Sequence, residues 1–476
     1  MKYSTTDSLA ALAACVSPGA LLDAADAMAP YLSDWTGKET GDAIAVARPA
    51  STAEVSSLLR VACEHDLAVT PQGGNTGLTG ASVPRSRQRC LLLSLDRMTA
   101  VRSMDAFTPS ITAEAGCVLA DLQAAAREAG FAIPLGLGAE GSCTLGGVIS
   151  TNAGGIRALR YGNCRENVMG LEVVLPDGSI WNGLRALRKH NMGYDLKQLF
   201  IGAEGGLGVV TAAVMRLTPA WRQIETALVA TPDPASAMTL LNEVRGACGD
   251  AVVACELIEG IGMELALSAI LDAQDPLPGD FPWYVLIEAA TAADQGSLRA
   301  AFETGIGQAL SKGAALDAVL AENEGQRSQL WRLREGVVDG QRRAGASIKH
   351  DVSVPLGAVP EFIDRASTVA RTIVPGCRPL SFGHIGDGNI HFTVIQPSGD
   401  EPPSFLKHAP EVMARVHDIA LALGGSISAE HGVGTYKRDE FHRVVDAVEL
   451  DLFGRIKSAI DPSWRMNPGV LLSPGG

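Results

Sequence analysis

The stretch Pro71-Gln72-Gly73-Gly74-Asn75-Thr76-Gly77-Leu78-Thr79-Gly80 decides how the rest of the chain is read. It follows a short apolar run, residues 67–70, that predicts a strand, and no helical pattern opens after its glycines. Glycine lets backbone N–H groups come close to a ligand and reach positive φ. A phosphate held here would sit in a nest of backbone donors without a helix dipole. A dinucleotide-binding Rossmann turn differs: its glycines follow the first strand and open a helix whose N-terminus holds the pyrophosphate. A second cluster, from Gly136 to Gly155, holds seven glycines. It includes a literal G-x-G-x-x-G, Gly136-Leu137-Gly138-Ala139-Glu140-Gly141, but Pro134 stands before it and no strand–helix pair with a ribose-binding acid follows. That argues against a nicotinamide site. The chain has 52 glycines, against about 33 at average usage. Tight turns account for part of the excess; its concentration in two windows points to a bound polyanion.

Working outward, residues 43–48, 90–95, 110–115 and 209–217 read as strands, and 171–175 with 179–181 as a hairpin around Pro176-Asp177-Gly178. Residues 52–64 read as a helix capped by Ser51 or Thr52, with Glu54 in its first turn, and 119–129 as another. Past Pro219 the texture changes. Residues 225–231, 252–258 and 283–290 are strand-like; 234–245, a stretch from about 294, and 326–343 are helical, the last with an apolar stripe of Leu330, Leu333 and Val337. This β-α-β, β-α alternation suits a ferredoxin-like sheet with helices on one face. The boundary is expected near residues 219–222.

Composition narrows the function classes. The 476 residues suggest about three folded units or two large ones. Apolar residues make up 46% and charged residues 19%, as in a globular protein with a sizeable core. With 39 basic and 53 acidic side chains the net charge is −14, which disfavours nucleic acid and anionic lipid as partners. No uncharged apolar run reaches the roughly 18 residues of a membrane span. The nine cysteines are scattered and never spaced C-x-x-C, so they read as reduced thiols of a cytoplasmic protein, with no attached haem or iron–sulfur cluster. Residues 9–16 are apolar and Leu12-Ala13-Ala14-Cys15 looks like a lipoprotein cleavage box, but the run is short and Asp7 adjoins it. A docking helix is the expectation there.

The densest polar cluster is Ser381-Phe382-Gly383-His384-Ile385-Gly386-Asp387-Gly388-Asn389-Ile390-His391-Phe392. On one continuous strand, an odd separation would put His384 and His391 on opposite faces. The Gly386–Asn389 insert breaks the strand, so the imidazoles can converge. Ser428-Ala429-Glu430-His431-Gly432-Val433-Gly434 follows. Two histidines and a carboxylate complete a three-ligand set for a catalytic divalent metal with an open position. Hydrogen-bonded structural histidines are the competing reading; the flanking glycines and the third histidine favour metal.

In order and spacing, Pro71–Gly77, Gly141-Ser142-Cys143-Thr144-Leu145-Gly146-Gly147 through Thr151-Asn152-Ala153-Gly154-Gly155, and Gly202-Ala203-Glu204-Gly205-Gly206-Leu207-Gly208 resemble the flavoproteins of the vanillyl-alcohol oxidase / p-cresol methylhydroxylase superfamily. The resemblance implies FAD and an α+β fold. A two-subdomain FAD-binding domain of the p-cresol methylhydroxylase type would span residues 1–220. A ferredoxin-like substrate (cap) domain with the metal-type histidines would span 221–425, and a C-terminal segment, 426–476, would return to the flavin site. It assigns the cofactor to Pro71, Gly73, Gly74, Asn75, Thr76, Gly77, Leu78, Gly138, Gly141, Ser142, Gly146, Gly147, Thr151, Asn152, Gly154, Gly155, Gly205, Val209 and Asn467. Some members attach the flavin through a histidine just after the paired glycines; Asn75 stands there, so non-covalent FAD is expected.

The C-terminal half resembles the FAD-dependent D-2-hydroxyacid dehydrogenase branch, which includes D-lactate, glycolate-type and D-2-hydroxyglutarate enzymes. That resemblance implies a metal, often zinc, on His384, His391 and Glu430, and a general base at His431. It implies substrate-carboxylate binding by Arg334 of L-W-x-L-R-E and Lys349 of I-K-x-D-x-S-x-P. Without it, Arg334 and Lys349 read as salt bridges with Glu335 and Asp351. Two departures stand out: Val338, where hydroxyglutarate enzymes often have Thr, and Thr393, where Asn is frequent. Both remove polar contacts that discriminate between substrates.

The expected reaction is oxidation of a D-2-hydroxyacid of the D-lactate or D-2-hydroxyglutarate class to the 2-oxoacid. Loss of a hydride from Cα and a proton from the hydroxyl needs an acceptor no side chain provides, a base near neutral pH, and a Lewis acid at the oxygen. On a chain of charge −14 the anionic substrate needs a local positive site, which Arg334, Lys349 and a metal would make. Two alternatives are a redox-neutral or reductive flavoenzyme, which no D-2-hydroxyacid would bleach, and a non-catalytic FAD subunit of an electron-transfer complex, which would lack tight metal. The electron acceptor is open among quinone, an electron-transfer flavoprotein and oxygen; a homodimer is a further expectation.

Overall fold

The computed structural model describes residues 3–85, 89–294, 296 and 298–473. The chain divides into two compact units. The first comprises Met1–Gly154, Asn163–Pro219 and Glu430–Gly476, the second Gly155–Gly162 and Ala220–Ala429.

In the first unit, β1 (Leu21–Leu22), β2 (Ala45–Ala47), β3 (Ala68–Gln72) and β4 (Cys90–Ser94) form a sheet of order β1-β2-β4-β3. β2 and β3 run parallel to β4. Leu91, Leu92 and Leu93 are wholly buried, which is why this strand reads as an uninterrupted apolar run. The helix Thr52–Glu64 links β2 to β3; Ser51 caps it by accepting from Glu54 N, and Val55, Leu58, Leu59 and Ala62 are buried along it. A second sheet has the order β5-β6-β10-β8-β9, from β5 (Val101–Asp105), β6 (Ser110–Glu114), β8 (Val168–Val174), β9 (Ile180–Gly183) and β10 (Val209–Arg216). All its neighbours are antiparallel. The short β7 (Phe131–Ala132) pairs with β11 (Thr218–Pro219). One core cluster, including Leu91, Ile111, Leu171 and Ala213, runs through both main sheets. The N-terminal apolar run is the helix Thr5–Ala13, closed by a Ser4–Asp7 capping box. Inside the second glycine cluster the helix Leu145–Ser150 was not foreseen. Two glycines make it a poor helix by propensity, but a Cβ at Gly146 would come 2.7 Å from that of Ala115, so only glycine lets this turn pack.

The second unit is built on one antiparallel sheet, β15-β12-β14-β13-β17-β18-β16. Its strands are β12 (Gln223–Thr231), β13 (Val252–Glu259), β14 (Trp283–Thr291), β15 (Asp317–Leu320), β16 (Ser347–Ser353), β17 (Arg378–His384) and β18 (Asn389–Ile395). Helices cover both of its faces, where one covered face was expected. Ala227, Val229, Leu257 and Ile287 belong to a core shared with residues of the helices Pro234–Cys248, Leu298–Ser311, Val359–Ile373 and Ala409–Ala422. Their neighbours Leu228, Ala230, Ile258 and Leu286 belong to another, shared with the helices Gly260–Ala269 and Glu324–Arg343. With both faces apolar, alternation vanishes from these strands. Two domain boundaries differ from expectation. Gly155–Gly162 clusters with this unit because Arg160 Nη1 donates to Ala290 O (2.7 Å) and Trp221 stacks on Tyr161. Residues 426–429 stay with it because Ser426 pairs with Ser353 and Ala429 N donates to Asp351 O (3.1 Å).

Candidate active site

In the first unit the three glycine stretches meet around one cavity. Its lining includes Pro71, Gly73, Gly146, Gly147, Thr151, Gly205 and Val209, together with Gln72, Ala81, Ser82, Ser150, Glu204 and Gly208. Close packing of the stretches explains the residue types. A Cβ at Gly73 would lie 2.4 Å from Thr144 Oγ1, and one at Gly74 2.0 Å from the Ser142 carbonyl. Thr144 Oγ1 is itself buried with no hydrogen-bond partner among the described residues. Asn75, Asn152 and Glu204 adopt positive φ of 52°, 49° and 49°. Asn75 is held from both ends of its amide: Nδ2 donates to Ser33 O and Oδ1 accepts from Ser82 Oγ, each at 2.7 Å. Asn152 Oδ1 accepts from Arg165 N at 2.9 Å. Thr76 is half-buried, while Gly77, Leu78, Gly138, Gly141 and Ser142 are exposed and lie outside the lining, and Gly155 falls in the second unit.

The C-terminal segment of this unit is fastened to the same loops. Asn467 Nδ2 donates to Ala81 O (2.8 Å) and Glu204 O (2.7 Å), so Asn467 acts as a clamp between loops. Lys457 Nζ donates to Gly206 O (2.6 Å), Met466 O (2.8 Å) and Asp461 Oδ2 (2.7 Å). The Glu204 carboxylate accepts from Val433 N (2.8 Å) and Gly434 N (2.7 Å), just past His431. Burial pushes the Glu204 carboxyl up to about 7, against the pull of those two N–H groups and Lys437. Gly432, at φ +75°, leaves room: a Cβ there would come 2.8 Å from Glu204 Oε1. A Cβ at Gly154 would lie 3.2 Å from Glu430 Oε1.

In the second unit, four adjacent strands carry a polar row on one face. Glu256 of β13 is the direct cross-strand partner of His384 of β17, and Asp351 of β16 is the partner of His391 of β18. Phe382 pairs with His391, so His384, two residues on, is its diagonal neighbour on the same face. The two imidazole centroids are 5.4 Å apart. Each ring has a carboxylate behind it: His384 Nδ1 is 2.7 Å from Glu256 Oε1, and His391 Nδ1 is 3.5 Å from Asp351 Oδ1. Arg334, from the helix Glu324–Arg343, is buried, with Nε 2.8 Å from Glu256 Oε2 and its guanidinium 5.0 Å from the Phe382 ring centroid. Its ion-pair partner is thus Glu256 and not Glu335. Burial would raise the Glu256 carboxyl, but His384 and Arg334 outweigh it and hold it down to about 2. Lys349 pairs with Thr393 across β16 and β18 on the same face and is exposed.

The FAD binding domain family matches residues 43–183, and the family of FAD linked oxidases, C-terminal domain, matches residues 221–471. The chain is 38% identical over 445 residues to a probable mitochondrial D-2-hydroxyglutarate dehydrogenase of Oryza sativa subsp. japonica, covering 92% of this chain and 77% of that one. It is 37% identical over 443 residues to D-2-hydroxyglutarate dehydrogenase of Xanthomonas citri pv. viticola, covering 93% and 92%. The chain belongs to the FAD-linked D-2-hydroxyacid dehydrogenases. The fold of this dehydrogenase is also that of p-cresol methylhydroxylase, which aligns with a TM-score of 0.78 at 16% identity, over 99% of this chain and 97% of the other. It binds FAD and oxidises a D-2-hydroxyacid, and no helix among its described residues is long and apolar enough to cross a membrane.

Three residues of the dehydrogenase were not singled out by the sequence, Thr144, Glu204 and Glu256, and Asp351, expected beside Lys349, also lies 3.5 Å from His391 Nδ1. Thr144 and Glu204 lie inside the glycine-rich motifs, whose dominant signal is glycine. Glu256 belongs to no motif. Its signal was a carboxylate inside the apolar strand Val-Val-Ala-Cys-Glu-Leu-Ile, which must find a partner to be buried.

Proposed function

We propose that the dehydrogenase removes the hydroxyl proton with His431, binds the substrate carboxylate with Arg334 and Lys349, and holds a divalent metal with His384, His391 and Glu430. The observation that carries this reading is the imidazole pair backed by two carboxylates. A metal-ligating histidine characteristically gives its second ring nitrogen to such a group, which fixes the tautomer and raises ligand basicity. Nδ1 faces the carboxylate in both rings, which makes Nε2 the ligating nitrogen. Ala429, the last residue of the second unit, is bonded to Asp351, and Glu430 follows it in the chain. Two nitrogens and one carboxylate oxygen suit zinc.

Bound FAD supplies the acceptor for the hydride leaving Cα. The metal supplies a Lewis acid for the hydroxyl oxygen. The remaining work falls to the chain. Arg334 presents a planar donor fork for a carboxylate, and among the described residues neither Nη makes a hydrogen bond. Lys349 adds charge on the same face. His431, on a loop fixed by Glu204, takes the proton as a neutral base. The cavity carries the flavin without a covalent link, since an amide stands at position 75.

The named relatives act on D-2-hydroxyglutarate, but Val338, one helical turn past Arg334, offers no hydrogen bond, and Thr393 is shorter than Asn. These residues favour a D-2-hydroxyacid whose side chain asks for no polar contact there. The test is His384→Ala. The variant is expected to lose metal and turnover together while keeping FAD. Retention of stoichiometric metal overturns the ligand set. A higher kcat/KM for D-2-hydroxyglutarate than for D-lactate overturns the substrate ranking alone.

A further inference from the structure

We propose that Glu256 is a positioning residue that sets the substrate-binding guanidinium and one metal-ligating imidazole from a single carboxylate. The inference rests on the roles given above to Arg334 and His384. It assigns to Glu256 the coupling between them.

Glu256 is 1% exposed, in a strand whose only other charged residue is Glu259 at its end. An unpaired charge there would be strongly destabilising. Both oxygens are committed: Oε1 to His384 Nδ1 at 2.7 Å, Oε2 to Arg334 Nε at 2.8 Å. An ionised carboxylate can only accept, so Nδ1 of His384 must carry the hydrogen. In the neutral ring that leaves the lone pair on Nε2, the tautomer a metal requires. The backbone enforces the approach, because Glu256 and His384 are direct partners in the β13–β17 ladder.

The second oxygen does comparable work on Arg334. Taking the guanidinium by Nε anchors it to β13 and leaves the two terminal nitrogens as donors for a substrate carboxylate. The Phe382 ring, 5.0 Å from the guanidinium carbon, packs against it. One carboxylate therefore registers the group that grips the substrate against a group that grips the metal. Asp351 is a looser counterpart: it lies 3.5 Å from His391 Nδ1 and also accepts from Asn389 Nδ2 at 3.0 Å.

The test uses FAD-loaded wild type, Glu256→Gln, Glu256→Asp and His384→Ala. FAD content is read by absorbance, Zn2+ affinity by competition with a chromogenic chelator, and KM and kcat with D-lactate and D-2-hydroxyglutarate. Glutamine offers one acceptor and one donor, so it opposes either Nδ1–H or the Arg334 N–H. Glu256→Gln is expected to keep FAD, to bind Zn2+ about 10- to 100-fold more weakly, and to raise KM more than it lowers kcat. Aspartate keeps the charge but is one methylene shorter and reaches one partner; it is expected to restore one of the two effects and not the other. Wild-type Zn2+ affinity together with wild-type KM in Glu256→Gln overturns the proposal, as does Glu256→Asp matching wild type on both counts should the glutamine variant fail to fold. Loss of Zn2+ in His384→Ala with full retention in Glu256→Gln refutes the role of Glu256 while sparing the metal. A wild type that binds no Zn2+ refutes the metal reading itself, and KM in Glu256→Gln then decides the Arg334 limb.

Discussion

His431 and Glu204 show how a single residue's environment sets its task. The His431 loop is fixed by two backbone N–H groups that end on the Glu204 carboxylate. His431→Asn is expected to keep FAD and metal and to slow flavin reduction about 100-fold or more, in line with general-base contributions; stopped-flow absorbance reads it, and an unchanged rate removes His431 from the mechanism. Glu204 carries a pH signature. Its folded carboxyl holds a proton up to about pH 7, against a normal value of 4.5. Between those values the folded state binds the extra proton, so stability falls as pH rises through the window and levels off above it. Thermal unfolding at pH 5 and pH 7.5 should show a larger drop for wild type than for Glu204→Gln; equal drops refute the assignment. The general-base role of His431 was expected from the family resemblance, whereas that of Glu204 was not legible from sequence. Glu204 stands among glycines that announce a ligand, and nothing local reveals which backbone its carboxylate will meet.

At the scale of elements, the glycine loops and the strap that binds them were only half visible. Their order and spacing named the cofactor, and strands such as β3 and β10 stood within a few residues of expectation, because short apolar runs between turn residues leave little choice. The helix Leu145–Ser150 was hidden, since tertiary packing of Gly146 on Ala115 overrides its propensity. Gly74→Ala tests the loop packing: a methyl 2.0 Å from the Ser142 carbonyl must displace backbone. The purified variant is expected to be colourless, and wild-type yellow would show that the loops yield. Lys457 tests the strap. Lys457→Met removes its bonds to Gly206 O and Met466 O and strands buried Asp461, a loss of about 3–5 kcal/mol by analogy with broken buried pairs. Urea unfolding should register that loss and FAD dissociation should accelerate; unchanged FAD retention would separate the strap from the flavin loops.

For the whole molecule, the cavity where the glycine stretches meet lies in one unit and the paired imidazoles in the other. The hairpin geometry of His384 and His391 could be argued from the Gly386–Asn389 insert alone, because a turn converts an odd sequence separation into neighbours on one face. What was hidden was everything behind the imidazoles. Glu256 lies 128 residues from His384 in sequence and meets it only through strand pairing. The second covered face of the large sheet was hidden for a related reason: the helix Gly260–Ala269 is apolar almost throughout and offers no amphipathic period to read. The proposed substrate preference is a property of the assembled molecule as well, because Arg334, Val338, Lys349 and Thr393 come from three elements.

The most direct measurement is an anaerobic screen of D- and L-2-hydroxyacids against the purified yellow protein, with and without chelator, followed at the flavin absorbance band. At least one D-2-hydroxyacid is expected to bleach the flavin, its L-enantiomer to leave the band intact, and chelation to abolish the bleaching. A flavin that no D-2-hydroxyacid reduces would contradict the proposed function.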